Sequence, residues 1–302
     1  MSAGQGEGDG AARPGQRASA RRRGRTPWLL LVPGVLGLAF LVLPLLALLV
    51  RAPWSELVSI VGTGPVAQAL WLSLRTAGTA TALSLVLGVP LAWLLARGRL
   101  PGAGVVRAVV TLPMVLPPVV GGVALLSLLG RRGLLGQQID AWFGVTIPFT
   151  TTAVVLAQTF VALPFLVLSV DGALRGLDRR YEDVSATLGA SRWTTLRRVT
   201  LPMVAPAVAS GAVLCFARAL GEFGATITFA GNFPGTTRTM PIAIYLAMES
   251  SPDAAIALSI VLIGISAAVL ILLRARWLRG LVGAVGAVGA AGSTRRAGAG
   301  RS

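Results

Sequence analysis

The sequence predicts an all-α polytopic membrane protein with six transmembrane helices, and three observations lead to this fold class. Hydrophobic residues make up 54% of the 302 residues, more than a soluble domain usually carries. Six apolar runs follow one another, each near the ~20 residues that a helix needs to cross a bilayer. The 27 arginines are concentrated in the tails and in alternate loops, which is typical of membrane proteins and not of nucleic-acid binders.

The first apolar run follows a basic segment, as the core of a signal peptide also does. It has 23 residues, whereas such a core has roughly 7–15, so we expect it to be retained as a span. A transmembrane domain at 27–279 is predicted between a disordered basic N-terminal tail, 1–26, and a disordered C-terminal tail, 280–302. The predicted spans cover residues 28–50, 67–96, 106–129, 152–170, 200–221 and 254–273.

The positions of the arginines predict the orientation of the chain in a plasma membrane. Six lie in the N-terminal tail, three in the loop 97–107, six in the loop 171–199 and six after the last predicted span, in 274–302. The alternate loops, together with the outer end of the fifth span, hold only five, and Arg75 falls inside the second span. The positive-inside rule therefore places both termini and the loop 171–199 in the cytoplasm. Arg75 is expected to face protein or water, or to lie near an interface.

Missing residue types exclude several kinds of site. The chain has no lysine, so it can form neither a Walker A loop nor a Schiff base. It has no histidine and one cysteine, Cys215, which excludes zinc sites and Cys–His nucleophiles. We therefore expect no enzyme activity, no catalytic residue, and no metal or cofactor bound by this chain. Any energy source has to come from a partner.

Residues 178–202 form one long charged interruption in the apolar sequence, and they predict a helical hairpin. Asp183 falls in the first turn of a helix that Gly189 ends, with a left-handed backbone expected at the glycine. Ser191 is placed to cap a second helix that runs into the fifth span. Three residues of the first helix share one apolar face: Tyr181, Val184 and Leu188.

Two further stretches are irregular or polar. The third span contains TLPMVLPPVVGG, whose prolines and glycines predict either a kinked span or a kink that lines a pathway. Arg218 and Glu222 are spaced i,i+4 near the outer end of the fifth span and are expected to pair. The small and hydroxyl residues that follow fit a helix-packing surface and a pathway for an oxyanion equally well.

The spacing of the hairpin resembles the cytoplasmic loop of ABC-importer permeases, which reads E-A-A, three residues, G, nine residues, I, one residue, L-P. Here Asp183-Val184-Ser185 is followed at the same spacings by Gly189, Val199 and Leu201-Pro202. The first three letters differ, and Glu182 stands one place early. In that family the loop is a coupling helix that docks on the ATP-binding subunit; the alternative is an ordinary interfacial hairpin. The resemblance implies an ATPase-coupling role for Glu182, Asp183, Val184, Ser185, Ala186, Leu188 and Gly189.

Other strings resemble the molybdate permease subunits of ABC importers, within a group that also carries tungstate and sulfate. They are ARALGEFGAT, FAGN, the segment PGTTRTMPIAIY, and TLPMVLPPVVGG followed by LLGRRG, so that the resemblance covers residues 65–275. It implies a type I importer permease fold and a homodimer. The other implied partners are two ATP-binding subunits, which use the ATP, and an extracytoplasmic oxyanion-binding protein. It also suggests a translocation pathway or gate at Arg218, Glu222, Thr226, Thr228 and Asn232.

Two other classes of function were compared with this one. An integral membrane enzyme would need several titratable groups at membrane depth, and only Glu222 is a candidate. A passive channel would explain the spans but would leave the charged hairpin without a role.

Overall fold

The computed structural model describes residues 28–97, 101–269 and 271. Within them, the regular elements are helices and no strand occurs, so the predicted all-α class is confirmed. The chain divides into two compact units, Met1–Ala47 and Leu48–Ser302. The predicted tails at 1–26 and 280–302 lie outside the described residues.

The helices follow the predicted apolar runs and add short helices between them. The first unit contains most of the apolar helix α1, Trp28–Val50, with Pro33 and Pro44 inside it. The helices that follow are α2 (Leu57–Val61), α3 (Gly64–Ala96), α4 (Ala103–Val115), α5 (Pro118–Leu129), α6 (Gly136–Phe143), α7 (Thr151–Gly176), α8 (Arg180–Thr187), α9 (Arg192–Thr195), α10 (Leu201–Leu220), α11 (Gly224–Ala230), α12 (Met240–Ser250) and α13 (Pro252–Val269).

Five stretches are long and apolar enough to cross a membrane, and a bent pair of helices makes a sixth. The five are α1, α3, α7, the continuous stretch Arg192–Leu220 and α13. The bent pair is α4 and α5, which together occupy the predicted third span but meet at an angle of 116°. The interruption predicted from the prolines and glycines of 106–129 is therefore present, as a sharp bend between two helices. Because Pro117 and Pro118 cannot donate backbone hydrogen bonds, the chain turns sharply where they stand.

Small residues let α3, α7 and α10 approach one another closely. A Cβ atom at Gly88 of α3 would lie 3.0–3.2 Å from side-chain carbons of Leu163, Leu166 and Val167 in α7. One at Gly211 of α10 would lie 2.9 Å from Leu166. Close packing of this kind holds helices together in a bilayer, where burial of apolar side chains supplies little driving force. The three helices form the core that positions the hairpin.

The helices α3 and α7 run parallel, which fixes the level of Arg75. Gly88 lies opposite Leu163–Val167, and Arg97 at the end of α3 donates to Leu174 O near the end of α7. Arg75 precedes Gly88 by thirteen residues, about 20 Å along the helix, and so lies level with the start of α7. The end of the bundle that carries the hairpin is called the hairpin end below, and the opposite end the far end. Arg75 is exposed near the far end, and its predicted position at an interface or facing water stays a prediction.

The fourth span is longer than predicted. The sequence assigned 152–170 to the span and residue 171 onwards to a loop, but α7 continues to Gly176. The two charged residues in this last part, Asp171 and Arg175, form an i,i+4 ion pair. The prediction ended the span before Asp171 because this residue is charged. The ion pair with Arg175 stabilises the helix across this position, so the helix continues.

Candidate functional site

The hairpin consists of α8, a turn at Gly189 and the start of the long stretch Arg192–Leu220. Asp178 Oδ1 accepts from Arg180 N at 3.0 Å at the first turn of α8. Ser191 caps the second helix as predicted, because its hydroxyl accepts from Thr194 N at 3.2 Å. One turn later, the helix is wound as a π-helix over Leu196–Thr200 before α10 begins.

Gly189 has the left-handed backbone that the sequence predicts. Its φ is +80°, and its N–H donates to Ala186 O at 3.0 Å while Ala190 N donates to Ser185 O at 3.1 Å. A Cβ atom there would meet nothing within 4 Å. The turn therefore requires glycine for its backbone conformation and not for space.

The apolar face of α8 points away from the bundle. Tyr181, Val184 and Leu188 are 54%, 58% and 82% exposed, and no residue of α8 is buried. Ala186 is exposed as well. An amphipathic helix with an uncovered apolar face is a surface for contact with another molecule. The opposite side of the hairpin is held together by Ser185 Oγ, 2.9 Å from Thr195 Oγ1.

Glu182 connects the hairpin to the membrane helices. Its carboxylate forms an ion pair with Arg97, which is 7% exposed and stands directly after α3. Glu182 Oε1 also accepts from Thr200 Oγ1 at 3.0 Å, just before α10. Arg97 in turn donates to Leu174 O of α7 at 3.4 Å. One carboxylate thus links α8 to the ends of three membrane helices.

Asp183 differs from its neighbour. It is exposed, and among the residues that the structure describes it makes no ion pair. Like Glu182, it lies at the wall of an open cavity of about 270 Å³ that Arg97, Arg179 and Arg192 also line.

A second ion-pair cluster braces the same end of the bundle. Asp171 is 1% exposed and accepts from Arg107 of α4 at 3.1 and 3.3 Å, as well as pairing with Arg175. Arg107 also donates to Leu95 O, one of the last carbonyls of α3, at 2.9 Å. Carbonyls at a helix C-terminus lack partners within the helix, so the arginine satisfies one of them.

The polar segment predicted as a pathway begins at the break between α10 and α11. Arg218 and Glu222 form an ion pair, as their i,i+4 spacing predicts, with Arg218 Nη1 2.7 Å from Glu222 Oε2. The contact is not aligned as a hydrogen bond. Glu222 Oε1 accepts from Ala225 N at 2.8 Å and so caps α11. The carboxylate, 1% exposed, therefore holds together the two helices on either side of the break.

The other residues of this segment have different surroundings. Thr226 is buried, and its hydroxyl has no hydrogen-bond partner in the described part of the chain. Thr228 Oγ1 donates to Gly224 O of its own helix at 2.8 Å. Asn232 Oδ1 accepts from Arg238 Nε at 2.8 Å in the far-end loop. Of the five residues predicted to form the pathway, only Arg218 and Glu222 contact each other through their side chains. The other three lie along the same segment and do not form a shared cluster with that pair.

Sequence reasoning missed the residues that anchor the hairpin end. Arg97 lies 85 positions from Glu182, and Arg107 lies 64 positions from Asp171. The sequence indicates only that charged residues at the ends of apolar helices pair when they are buried; it does not indicate which residues pair with each other.

The family described as "Binding-protein-dependent transport system inner membrane component" matches residues 84–280. The chain belongs to this family. Its curated relatives include the molybdenum transport system permease protein ModB of Mycobacterium tuberculosis, 49% identical over 81% of this chain and 92% of that protein. ModB of Escherichia coli K12 is 43% identical over 72% and 94%. The sulfate transport system permease protein CysT of the same organism is 35% identical over 69% and 76%.

Solved structures share the fold at lower identity. A bacterial ABC transporter that imports the acidic polysaccharide alginate matches with a TM-score of 0.67 and 19% identity, over 83% of this chain and 94% of that chain. The MetNI methionine ABC transporter, in inward-facing conformations, matches with a TM-score of 0.55 and 18% identity over 71% and 97%. The type I ABC importer permease fold expected from the sequence is thus confirmed, and the chain is a multi-pass membrane protein.

Proposed function

We propose that the chain is the membrane-spanning permease subunit of an ATP-driven importer that carries molybdate, or a related tetrahedral oxyanion, into the cytoplasm. The observation that carries this proposal is the hairpin. It presents the exposed apolar face of Tyr181, Val184 and Leu188 to a partner, and it is tied to three membrane helices at Glu182. A surface of this kind transmits motion from a docked subunit into the bundle.

The proposed partners follow from this role. The hairpin docks on an ATP-binding subunit, which holds the ATP, since a chain without lysine has no Walker A loop. The functional unit contains two copies of this chain, two ATP-binding subunits and an extracytoplasmic oxyanion-binding protein, in a plasma membrane with both termini cytoplasmic. The uneven distribution of arginine supports this orientation.

Transport then proceeds by a change in the tilt of the helices. Closure of the ATP-binding subunits draws the two hairpins together and turns an inward-facing cavity outward, toward the loaded binding protein. The polar segment containing Arg218, Glu222, Thr226, Thr228 and Asn232 acts as the pathway or gate, and Glu222 fixes the break between α10 and α11 within it. The anion is carried unchanged, so this chain needs no catalytic residue.

Molybdate is proposed before sulfate because the molybdenum permeases are the more similar relatives, at 49% and 43% identity against 35% for the sulfate permease CysT. The test is competitive uptake into proteoliposomes that contain this chain with its ATP-binding and binding-protein partners. ATP-dependent accumulation of molybdate, inhibited by tungstate more than by sulfate, is the expected result. Accumulation of sulfate alone would assign the chain to the sulfate importers. Accumulation of an oxyanion to the same level without ATP would contradict the proposal that the chain belongs to an ATP-driven importer.

A further inference from the structure

The two adjacent acidic residues of α8 have different structural environments. Glu182 pairs with Arg97 and accepts from Thr200 Oγ1, whereas Asp183 is exposed and makes no ion pair among the described residues; both line the same open cavity. Both stand in the first turn of the same helix, so the helix N-terminus stabilises either charge about equally. The tertiary contacts of Glu182 are therefore what distinguishes it.

We propose that Glu182 is the positioning residue that fixes the coupling hairpin to the membrane helices, so that displacement of the hairpin passes into the bundle through the Arg97–Glu182 pair. This inference rests on the proposed coupling function. The residue acts within this chain and not toward the ATP-binding partner, whose contact surface is the apolar face of α8. Asp183, by contrast, is left available to that partner.

The location of Arg97 explains why one ion pair reaches so much of the bundle. Arg97 follows α3 directly, and its guanidinium reaches both the Glu182 carboxylate and the carbonyl of Leu174 at the end of α7. Thr200, on the other side of the carboxylate, immediately precedes α10. The three helices that meet here, α3, α7 and α10, share one hydrophobic core.

Burial makes the pair rigid enough for this role. The Arg97 side chain is 7% exposed and that of Glu182 is 23% exposed, so the guanidinium is buried and the carboxylate is mostly shielded from water. An exposed ion pair on a flexible loop would separate when the hairpin is displaced, whereas a buried and hydrogen-bonded pair keeps its geometry. Removing only one partner would leave a buried charge unpaired.

The first test measures the anchor without any transport. Amide hydrogen exchange is followed over residues 178–199 in the complete chain, purified in detergent. Glu182→Gln and Arg97→Gln are expected to speed exchange in α8 about tenfold, and the double variant no further, because both act on one contact. Asp183→Asn is the matched control and should leave the exchange at the wild-type rate. Wild-type exchange in Glu182→Gln would overturn the proposal.

The second test measures coupling in the reconstituted transporter as oxyanion taken up per ATP hydrolysed. The double variant Arg97→Gln/Glu182→Gln avoids an unpaired buried charge, so it should assemble and hydrolyse ATP while uptake per ATP falls about tenfold. A purely structural residue would lower the amount of assembled complex and leave this ratio unchanged, which would overturn the proposal. Asp253→Asn, an exposed carboxylate at the start of α13, is the control.

A covalent link provides the rescue. Arg97→Cys/Glu182→Cys is joined after purification by a methanethiosulfonate cross-linker of about the length of the two side chains; the native Cys215 is buried. Restored uptake per ATP would support the anchor, and cross-linking without recovery would contradict it.

If wild-type vesicles showed no ATP-driven uptake, the proposed importer function would be wrong. The hydrogen-exchange result would still decide whether Glu182 anchors the hairpin.

Discussion

Arg218 and Glu222 form an ion pair at the break between α10 and α11, with Arg218 Nη1 2.7 Å from Glu222 Oε2. The other oxygen of the same carboxylate accepts from Ala225 N and caps the second helix. One buried side chain therefore neutralises a charge and stabilises a helix N-terminus.

The first prediction separates these two contributions. Glu222→Gln keeps an oxygen for Ala225 N but leaves Arg218 without its carboxylate, so we expect a clear fall in the melting temperature of the purified chain. The loss should stay below the ~3–5 kcal/mol typical of a fully buried pair, because the Arg218 side chain is 28% exposed. Arg218→Gln/Glu222→Gln should lose less than the two single variants together. Strictly additive losses would show that the two side chains do not interact.

A second prediction concerns the packing of α5 on α11. A Cβ atom at Gly122 would lie 2.7 Å from Thr228 Cβ and 2.9 Å from Ala225 O. Gly122→Ala should therefore destabilise the chain by about 1–3 kcal/mol through overpacking. Gly104→Ala in α4 is the matched control, since its Cβ would meet nothing within 4 Å. It should be neutral or stabilise by up to ~1 kcal/mol. Equal melting temperatures for the two variants would contradict the close packing of α5 and α11.

The third prediction compares a buried carboxylate with an exposed one. Asp171, 1% exposed, holds Arg107 and Arg175, so Asp171→Asn should cost clearly more than an exposed carboxylate but less than the ~3–5 kcal/mol of a fully buried pair, because the two arginine side chains are 28% and 50% exposed. Asp140 lies 3.5 Å from Arg131, whose side chain is 77% exposed, and Asp140→Asn should cost about 0–1 kcal/mol. Both are measured by thermal unfolding in detergent. A small effect at Asp171 would mean that the cluster does not brace the hairpin end.

Topology provides the fourth prediction. Thr236→Cys at the far end should react with a membrane-impermeant maleimide in intact cells, whereas Arg179→Cys in the hairpin should react only after permeabilisation. The reason is the excess of arginine on the hairpin side. The native Cys215 is buried and gives little background. Labelling of both positions from the same side would exclude the six-span arrangement.

Local features of the site were predictable from the sequence because they depend on neighbouring residues. The left-handed Gly189, the Ser191 cap and the Arg218–Glu222 pair each involve residues at most four positions apart. The apolar runs likewise fall within helices, although α7 extends to Gly176 and the helical stretch that contains the fifth run begins at Arg192.

Long-range features were not predictable in the same way. Which arginine meets Glu182 depends on the packing of α3 beside α7 and α10, and no local pattern encodes that packing. The angle of 116° between α4 and α5 was not predictable either, because prolines indicate that a helix is interrupted without giving the direction in which the chain continues. Glu182, which stands one place early in the loop motif, proved to be the acidic residue with the tertiary contacts.

The central claim, that the hairpin couples ATP hydrolysis to oxyanion uptake, is tested most directly at Gly189. With φ at +80° and open space at the Cβ position, only the backbone conformation opposes a side chain there. A left-handed residue with a branched side chain costs on the order of 1–2 kcal/mol, too little to unfold the bundle but enough to redirect Leu188 and the turn. Asparagine tolerates this conformation and is the matched control.

The measurement is ATP-driven molybdate uptake by reconstituted transporters that carry Gly189→Val or Gly189→Asn, with ATP hydrolysis and assembly recorded on the same samples. Gly189→Val is predicted to insert and assemble normally while uptake per ATP falls about tenfold, and Gly189→Asn is predicted to stay near the wild-type value. Normal uptake per ATP in Gly189→Val vesicles would contradict the coupling role of the hairpin.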